Sequence, residues 1–282
     1  MTTRRTRTGI AAGLVLTTLA AAAAFAQRGG VQILRPGFGF NEPVRLPTAQ
    51  TFQGGFNFCR LMFGSNRREK GGWRTDYPGA DYNLSVRLGE LTKTRVTKDS
   101  AGRPAYAVVR PTDAALFQCP MLFAEDVGTA EFEDEEVASL RKYFQKGGFL
   151  FVSDYWGARA EEQWEEEISR VLPREMGYSI DEIPMTHPLW HTMFDLTEIP
   201  QMASLQTWSR TGDIVERWAE SDAVVEVRGI TDSHGRIIVL AIHNSDIPDP
   251  WEREGEDQTY FNLFSPHAYQ VALDLVMYAM TR

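Results

Sequence analysis

The chain reads as an open α/β sandwich built around a mostly parallel sheet, and three observations predict this. Phe149 to Ser153 (FLFVS) is an unbroken apolar run, the pattern of a strand covered on both faces. Just before it, Val137, Leu140 and Phe144 recur at i, i+3 and i+7, the spacing of a helix with one apolar face. Strand-like and helix-like segments then alternate along most of the chain, the order expected of α/β architecture. A length of 282 residues allows one large domain or two small ones. With no internal repeat, a single domain over residues 51–282 is predicted.

Taken in order, the first segment is an export signal. Arg4, Arg5 and Arg7 form a positive start, Ile10 to Phe25 is apolar, and Ala24-Phe25-Ala26 supplies small residues around a cleavage point after Ala26. The apolar run is shorter than the roughly 20 residues of a spanning helix. The expectation is therefore a bacterial periplasmic or extracellular protein with no stable membrane span once residues 1–26 are removed. Arg4-Arg5 followed by Thr6-Arg7 leaves general and twin-arginine export both open, and no Cys precedes Cys59 to carry a lipid. Residues 27–50 are rich in Gly and Pro and read as a linker or arm.

Phe56 to Phe63 is the first predicted strand. A turn-rich loop, WRTDYPGAD, follows, with Asp81 capping a helix that places Leu84, Leu88 and Leu91 on one face. Pro120 to Ala124 is a buried-strand candidate. A helix then starts near Glu133, stapled by Phe132 and Val137 and stopped by Gly147-Gly148. Asp154 lands at the carboxyl end of the FLFVS strand. Glu161 to Glu167 fits a helix with a solvated acidic face. Ala223 to Ile230 and Arg236 to Ile242 are two strands joined by a turn around Ser233 to Gly235. Ser265-Pro266 predicts the cap and first residue of a last helix, with Val271, Ala272, Leu275 and Ala279 inward.

Composition excludes more than it names. The net charge is −9, and the first 26 residues hold three Arg and no acid, so the remainder is more acidic still. Such a surface repels a phosphate backbone, which argues against a nucleic-acid partner. Cys59 and Cys119 are the only cysteines: in an oxidising compartment they can pair, or they can be two buried thiols. No C-x-x-C occurs, so no zinc site is indicated. Walker-type and EF-hand loop spacings are also missing.

Two strings carry a resemblance. W-x-T-D-Y-P-x-A-D-x-N-L (Trp73 to Leu84) with R-L-x-E-L-T (Arg87 to Thr92), and E-E-V-x-x-L-R-K-Y-x-x-x-G-G-F-L (Glu135 to Leu150) with Asp154-Tyr155-Trp156-Gly157, resemble a bacterial exported domain of unknown function, family 4159. The resemblance spans roughly residues 51–282. It implies kinship with the flavodoxin-like, class I glutamine-amidotransferase-like superfamily, hence a doubly wound parallel sheet, and it implies no reaction. Amidotransferase chemistry needs a thiolate on a tight strand-to-helix turn. Here that turn carries Asp154-Tyr155, no G-x-S-x-G supplies a serine instead, and no catalytic residue is assigned.

Open α/β sheets bind ligands beyond the carboxyl ends of their strands. That rule selects Glu125, Asp126, Asp154, Tyr155, Trp156, His243, Asn244 and Asp246. The WRTDYPGAD loop adds Trp73, Arg74, Asp76 and Asp81, with Trp73 and Trp156 as stacking faces. Trp190, Trp208, Trp218 and Trp251 are either core or partner-facing. The leading expectation is a non-catalytic module that binds a polar ligand or an envelope protein, with neither cofactor nor metal. The alternative is a periplasmic hydrolase in which Asp154 meets His187, His243 and Asp126, with or without a metal ion. A purely structural envelope component is a third class.

Overall fold

The computed structural model describes residues 43–66, 71–216, 219–220 and 223–282. The export signal, Trp218 and most of the 27–50 arm lie outside the described residues. The described end of the arm is already packed. Arg45 O accepts from Val108 N (2.9 Å), Pro43 O accepts from Tyr77 Oη (2.9 Å), and the Arg45 guanidinium lies 4.4 Å over the Tyr106 ring. Ordered structure thus begins ahead of the Thr51 boundary predicted above, because Arg45 finds both a backbone and an aromatic partner.

Seven strands form one sheet: β1 (Phe58–Leu61), β3 (Tyr106–Val109), β4 (Met121–Glu125), β6 (Phe149–Ser153), β7 (Asp181–Glu182), β8 (Glu226–Thr231) and β9 (Ile237–His243). Their spatial order is β3-β1-β4-β6-β9-β8-β7, and β2 (Gly64–Ser65) pairs separately with β5 (Ala130–Glu131). From β3 to β9 every pairing is parallel, and the last two are antiparallel. The chain steps to one side of β1 and then crosses to β4 on the other. The carboxyl ends of β1 and β4 therefore flank the point where an open sheet leaves a crevice.

Period-two alternation sends the strand side chains to two cores. Phe58, Met121, Phe123, Phe149, Phe151, Leu240 and Ile242 join α1 (Gly79–Leu91) and α6 (Gln258–Thr281) on one face. Cys59, Leu61, Leu122, Ala124, Leu150, Val152 and Ala241 join α2 (Asp134–Gln145) and α3 (Ala158–Val171) on the other. The remaining helices are short, α4 (Leu205–Thr211) and α5 (Asp249–Glu252). Cys59 and Cys119 are disulfide-bonded across a separation of 60 residues. On chain-entropy reasoning a loop of that size restrains the unfolded chain by about 4 kcal/mol. Among the described residues, no helix is long and apolar enough to cross a membrane.

Helix boundaries follow local chemistry with four corrections. Glu133 caps α2 in a reciprocal box with Glu136, beside a buried Phe132 and Val137, as the staple requires. In α1, however, Pro78 holds the cap position and Asp81 sits buried in the first turn. Leu84 and Leu88 are buried as expected, whereas Leu91 at the last turn is exposed. Ser265-Pro266 does not open the last helix. Asp257 caps it, accepting from Thr259 N and Tyr260 N, and Pro266 lies inside. Pro266 and Asn262, whose carbonyl loses its usual donor, are both exposed, so water replaces the missing bond. On α3, Glu167 is not solvated: it is buried, accepting from Phe132 N (2.7 Å) and Arg170 Nη1 (2.8 Å).

Candidate functional site

Beyond the strand ends the chain stays laced by backbone bonds. Asp126 N donates to Asp154 O (3.1 Å), Asp154 N to Ser245 O (3.1 Å), and Asn244 N to Tyr155 O (3.0 Å). These contacts align the turns after β4, β6 and β9. Among the described residues, four that are not glycine adopt positive φ: Asp76 (57°), Asp126 (49°), Asp154 (53°) and Asn244 (56°). Asp and Asn tolerate this left-handed region better than other side chains, at a cost of order 1 kcal/mol or more each. All four belong to the rim selected from sequence.

The WRTD loop is held over the β1–β4 crevice by a buried arginine that the sequence reading did not select. Arg60, fully buried on β1, directs Nε to Asp81 Oδ1 (3.1 Å) and Oδ2 (2.9 Å), and Nη1 to Glu125 Oε2 (2.8 Å). Nη1 also donates to Thr75 O (2.7 Å) and Trp73 O (3.3 Å). Burial works against the guanidinium charge, but Asp81 and Glu125 outweigh it and hold Arg60 protonated. Asp81 and Glu125 are thereby both paired with Arg60 and brace the loop. Asp126 has a comparable task, since its Oδ2 accepts from Gly72 N at 2.7 Å. Gly71 (φ 127°) passes so close that a Cβ there would lie 3.0 Å from the same oxygen.

Asp76, at the tip of this loop, meets Asp154 and Asp246. One oxygen from each of the three carboxylates lies within 4.8 Å of the others. Asp154 Oδ1 accepts from Trp156 Nε1 (3.0 Å) and Asp246 Oδ1 from Asp249 N (3.0 Å), which leaves a second oxygen on each. Asp76 Oδ2 is sealed from solvent and has no hydrogen-bond partner. Among the described residues, no Lys or Arg pairs with any of the three. Burial first, and then the neighbouring carboxylates, push all three well above the usual range of an aspartate. A second group, Asp76 with Asp249 and Glu252, adjoins the first. It does have a cation, since Arg253 Nε lies 2.9 Å from Glu252 Oε2 and 3.6 Å from Asp249 Oδ1.

The rest of the predicted rim falls elsewhere. His243 ends β9 on the α3 face, its parity opposite to that of Ile242, with its ring 4.8 Å from Tyr155 and Nε2 3.2 Å from Gly157 O. Its Nδ1 lies 3.6 Å from Glu226 and 3.8 Å from Glu161, two carboxylates also bound by Arg228. Asn244 Oδ1 accepts from Gly157 N (2.9 Å), so Asn244 fixes the turn into α3. Tyr155 and Trp156 are both buried. Trp73 is half-buried, edge-on to Tyr77 and covered by Arg74 at 4.8 Å.

His187 corrects the expected convergence. It packs 6.0 Å from Tyr278, whose hydroxyl accepts from Ile237 N at the start of β9. Asp154 and Asp246 follow strand ends, so His187 lies at the other edge of the sheet. Trp190 and Trp251 are core, and Trp208 packs on Tyr260 and Phe264. Open grooves of about 580 Å³ (around Ile183, Ile199 and Val227) and about 790 Å³ (around Phe52, Phe117 and Met280) are lined by none of the three aspartates.

Asp249 and Glu252 escaped the sequence reading, although Asp246, Asp249 and Glu252 stand three apart in DIPDPWE. That spacing stacks carboxylates on one side of a turn and was the available signal. Arg60 offered a weaker one, a charge inside an apolar strand, which calls for buried partners.

No curated protein matches the chain. A family model described as a domain of unknown function (DUF4159) matches residues 58–280, a span that takes in Arg60, Asp76, Asp154 and Asp246. The chain belongs to the DUF4159 family.

Proposed function

We propose that this protein is an exported, non-catalytic binding module whose strand-end crevice receives a positively charged group from a polar ligand or an envelope partner. The observation that carries this reading is the meeting of Asp76, Asp154 and Asp246 within 4.8 Å, with no Lys or Arg paired to them among the described residues. Like charges brought together this way are stabilised by protons or by a cation. The parallel order β3-β1-β4-β6-β9, with helices on both faces, supports a doubly wound, amidotransferase-like scaffold. Export is supported by the signal-like residues 1–26 together with the Cys59–Cys119 disulfide, a bond favoured in oxidising compartments. A binding role is favoured over hydrolysis because the turn after β6 carries Asp154-Tyr155, where a displayed thiol or hydroxyl nucleophile would be needed.

The test is a thermal-shift panel of spermidine, arginine methyl ester, a lysine-rich peptide and divalent chlorides, with neutral sugars as controls. A cationic member near a hundredfold over its Kd should raise the wild-type Tm by about 5 °C or more and leave Asp154→Asn unmoved. No response from any cation, or an equal response in the variant, overturns the proposal. Turnover in an ester, amide and glycoside screen that disappears in Asp154→Asn would overturn its non-catalytic part.

A further inference from the structure

We infer that Asp76, Asp154 and Asp246 form a binding site for one hard divalent cation. This deepens the reading above and rests on it, because it names the ligand class of the same crevice. Three arguments converge. The donor set is entirely carboxylate oxygen, with no sulfur or imidazole, which suits calcium, manganese or magnesium rather than zinc or copper. The three oxygens lie close enough together, all within 4.8 Å, for one ion to touch each of them through bonds of roughly 2.1–2.4 Å. Independently of the clustering, Asp76, one of the three, carries an oxygen, Oδ2, that is shut off from solvent and has no hydrogen-bond partner among the described residues. A buried carboxylate oxygen left unpartnered is costly, and an ion satisfies it directly.

The neighbouring carboxylates set the boundary of the site. Glu161, Glu226 and His243 are as tightly grouped, but Arg228 Nη1 reaches Glu161 at 3.0 Å and Nη2 reaches Glu226 at 3.0 Å. That group already has its cation. In the Asp249–Glu252 group Arg253 plays the same part. Of the three groups, only Asp76–Asp154–Asp246 has no guanidinium paired within it among the described residues. Asp249 lies behind it, with Oδ2 accepting from Leu205 N (2.9 Å) and Tyr260 Oη (2.8 Å), and its own N–H fixes Asp246 Oδ1. Trp156 Nε1 fixes Asp154 in the same way. Two of the three ligands are thus oriented before an ion arrives, which limits the ordering that binding requires.

The experiment titrates the chelator-treated full chain with calcium, manganese or magnesium chloride by calorimetry at constant ionic strength. One ion per chain is expected, with calcium or manganese tighter than magnesium, which gives up its water reluctantly. Asp154→Asn and Asp76→Asn should each weaken binding about tenfold or more, because affinity follows ligand charge. Glu161→Gln, in the group served by Arg228, should leave it unchanged. No binding by about 1 mM, the weak limit of extracellular calcium modules, overturns the inference, as does binding undiminished in both aspartate variants. Should those variants fail to fold, manganese quenching of tryptophan emission in the wild type, reduced in Trp156→Phe, places the ion; no quenching overturns the site. Organic cations that bind at the crevice when no metal does would sink the metal inference and leave the binding reading standing. Silence from both sink the two together.

Discussion

Two acidic groups, one fully buried and one partly, lie within one loop's reach, and they solve the same electrostatic problem in opposite ways. Around Arg60, two carboxylates surround a guanidinium that fills its donors with Asp81, Glu125 and the carbonyls of Trp73 and Thr75. Around Asp76, three carboxylates face one another without such a partner. The first arrangement is complete in itself and therefore structural. The second, on the function proposed above, is completed by a cation from outside. A buried charge says little about function until its counter-ion has been found.

The largest expected effect breaks the complete cage. Arg60→Met leaves Asp81 and Glu125 buried without a cation and should cost about 3–5 kcal/mol, read as a lower urea midpoint. The double change that also replaces Asp81 by Asn should recover part of that loss, since fewer charges stay stranded.

The adjoining group, Asp76 with Asp249 and Glu252, should respond to pH. Burial, and then Asp249 and Glu125 acting against the opposing pull of Arg253, push Glu252 up to about 7. The folded state therefore holds a proton there that the unfolded chain releases near pH 4, so stability is greatest below that pH and declines as pH rises toward 7. The charges facing Glu252 are Asp249, Glu125, Glu256 and Arg253, with Asp76 in the same group. With metal removed, the Tm should fall by about 5 °C between pH 5 and pH 8, and Glu252→Gln should flatten that slope. A flat wild-type profile would mean that the carboxylates are already neutralised.

Asp154→Asn in metal-free protein should move the Tm by no more than about 3 °C, because it removes a repelling charge and keeps an oxygen for Trp156 Nε1. A loss as large as that of Arg60→Met would make the crevice a second structural cage and end the contrast. The smallest effect belongs to Arg228→Met. Its pairs with Glu161, Glu165 and Glu226 are partly exposed, so the change should cost about 1 kcal/mol or less by denaturation.

Much of the fold was legible because local pattern and burial agree. The FLFVS run became β6 at its predicted boundaries, and the Phe132–Val137 staple marked the start of α2. The failures have local causes. Ser265-Pro266 has the chemistry of a helix start, yet Asp257, about two turns upstream, captures the N–H groups first. Asp81 looks like a cap and is drawn instead to Arg60, 21 residues away. The rim was legible as a set of strand ends. Its division was not: His243 and Asp246 are three residues apart but serve opposite faces of the sheet, one beside Glu161 and the other beside Asp76.

The amino-acid order by itself determined the alternation of strands and helices, the two apolar faces of the sheet and the polar residues at its carboxyl edge. These depend on periodicities of two and 3.6 residues, which each segment carries alone. Tertiary structure decided which carboxylates find a guanidinium and which find only one another. That outcome depends on distances between Arg60, Asp76, Asp154 and Asp246, residues up to 186 positions apart, and on how far burial amplifies each charge. No segment holds that information, because the field at a side chain is a sum over everything that packs around it.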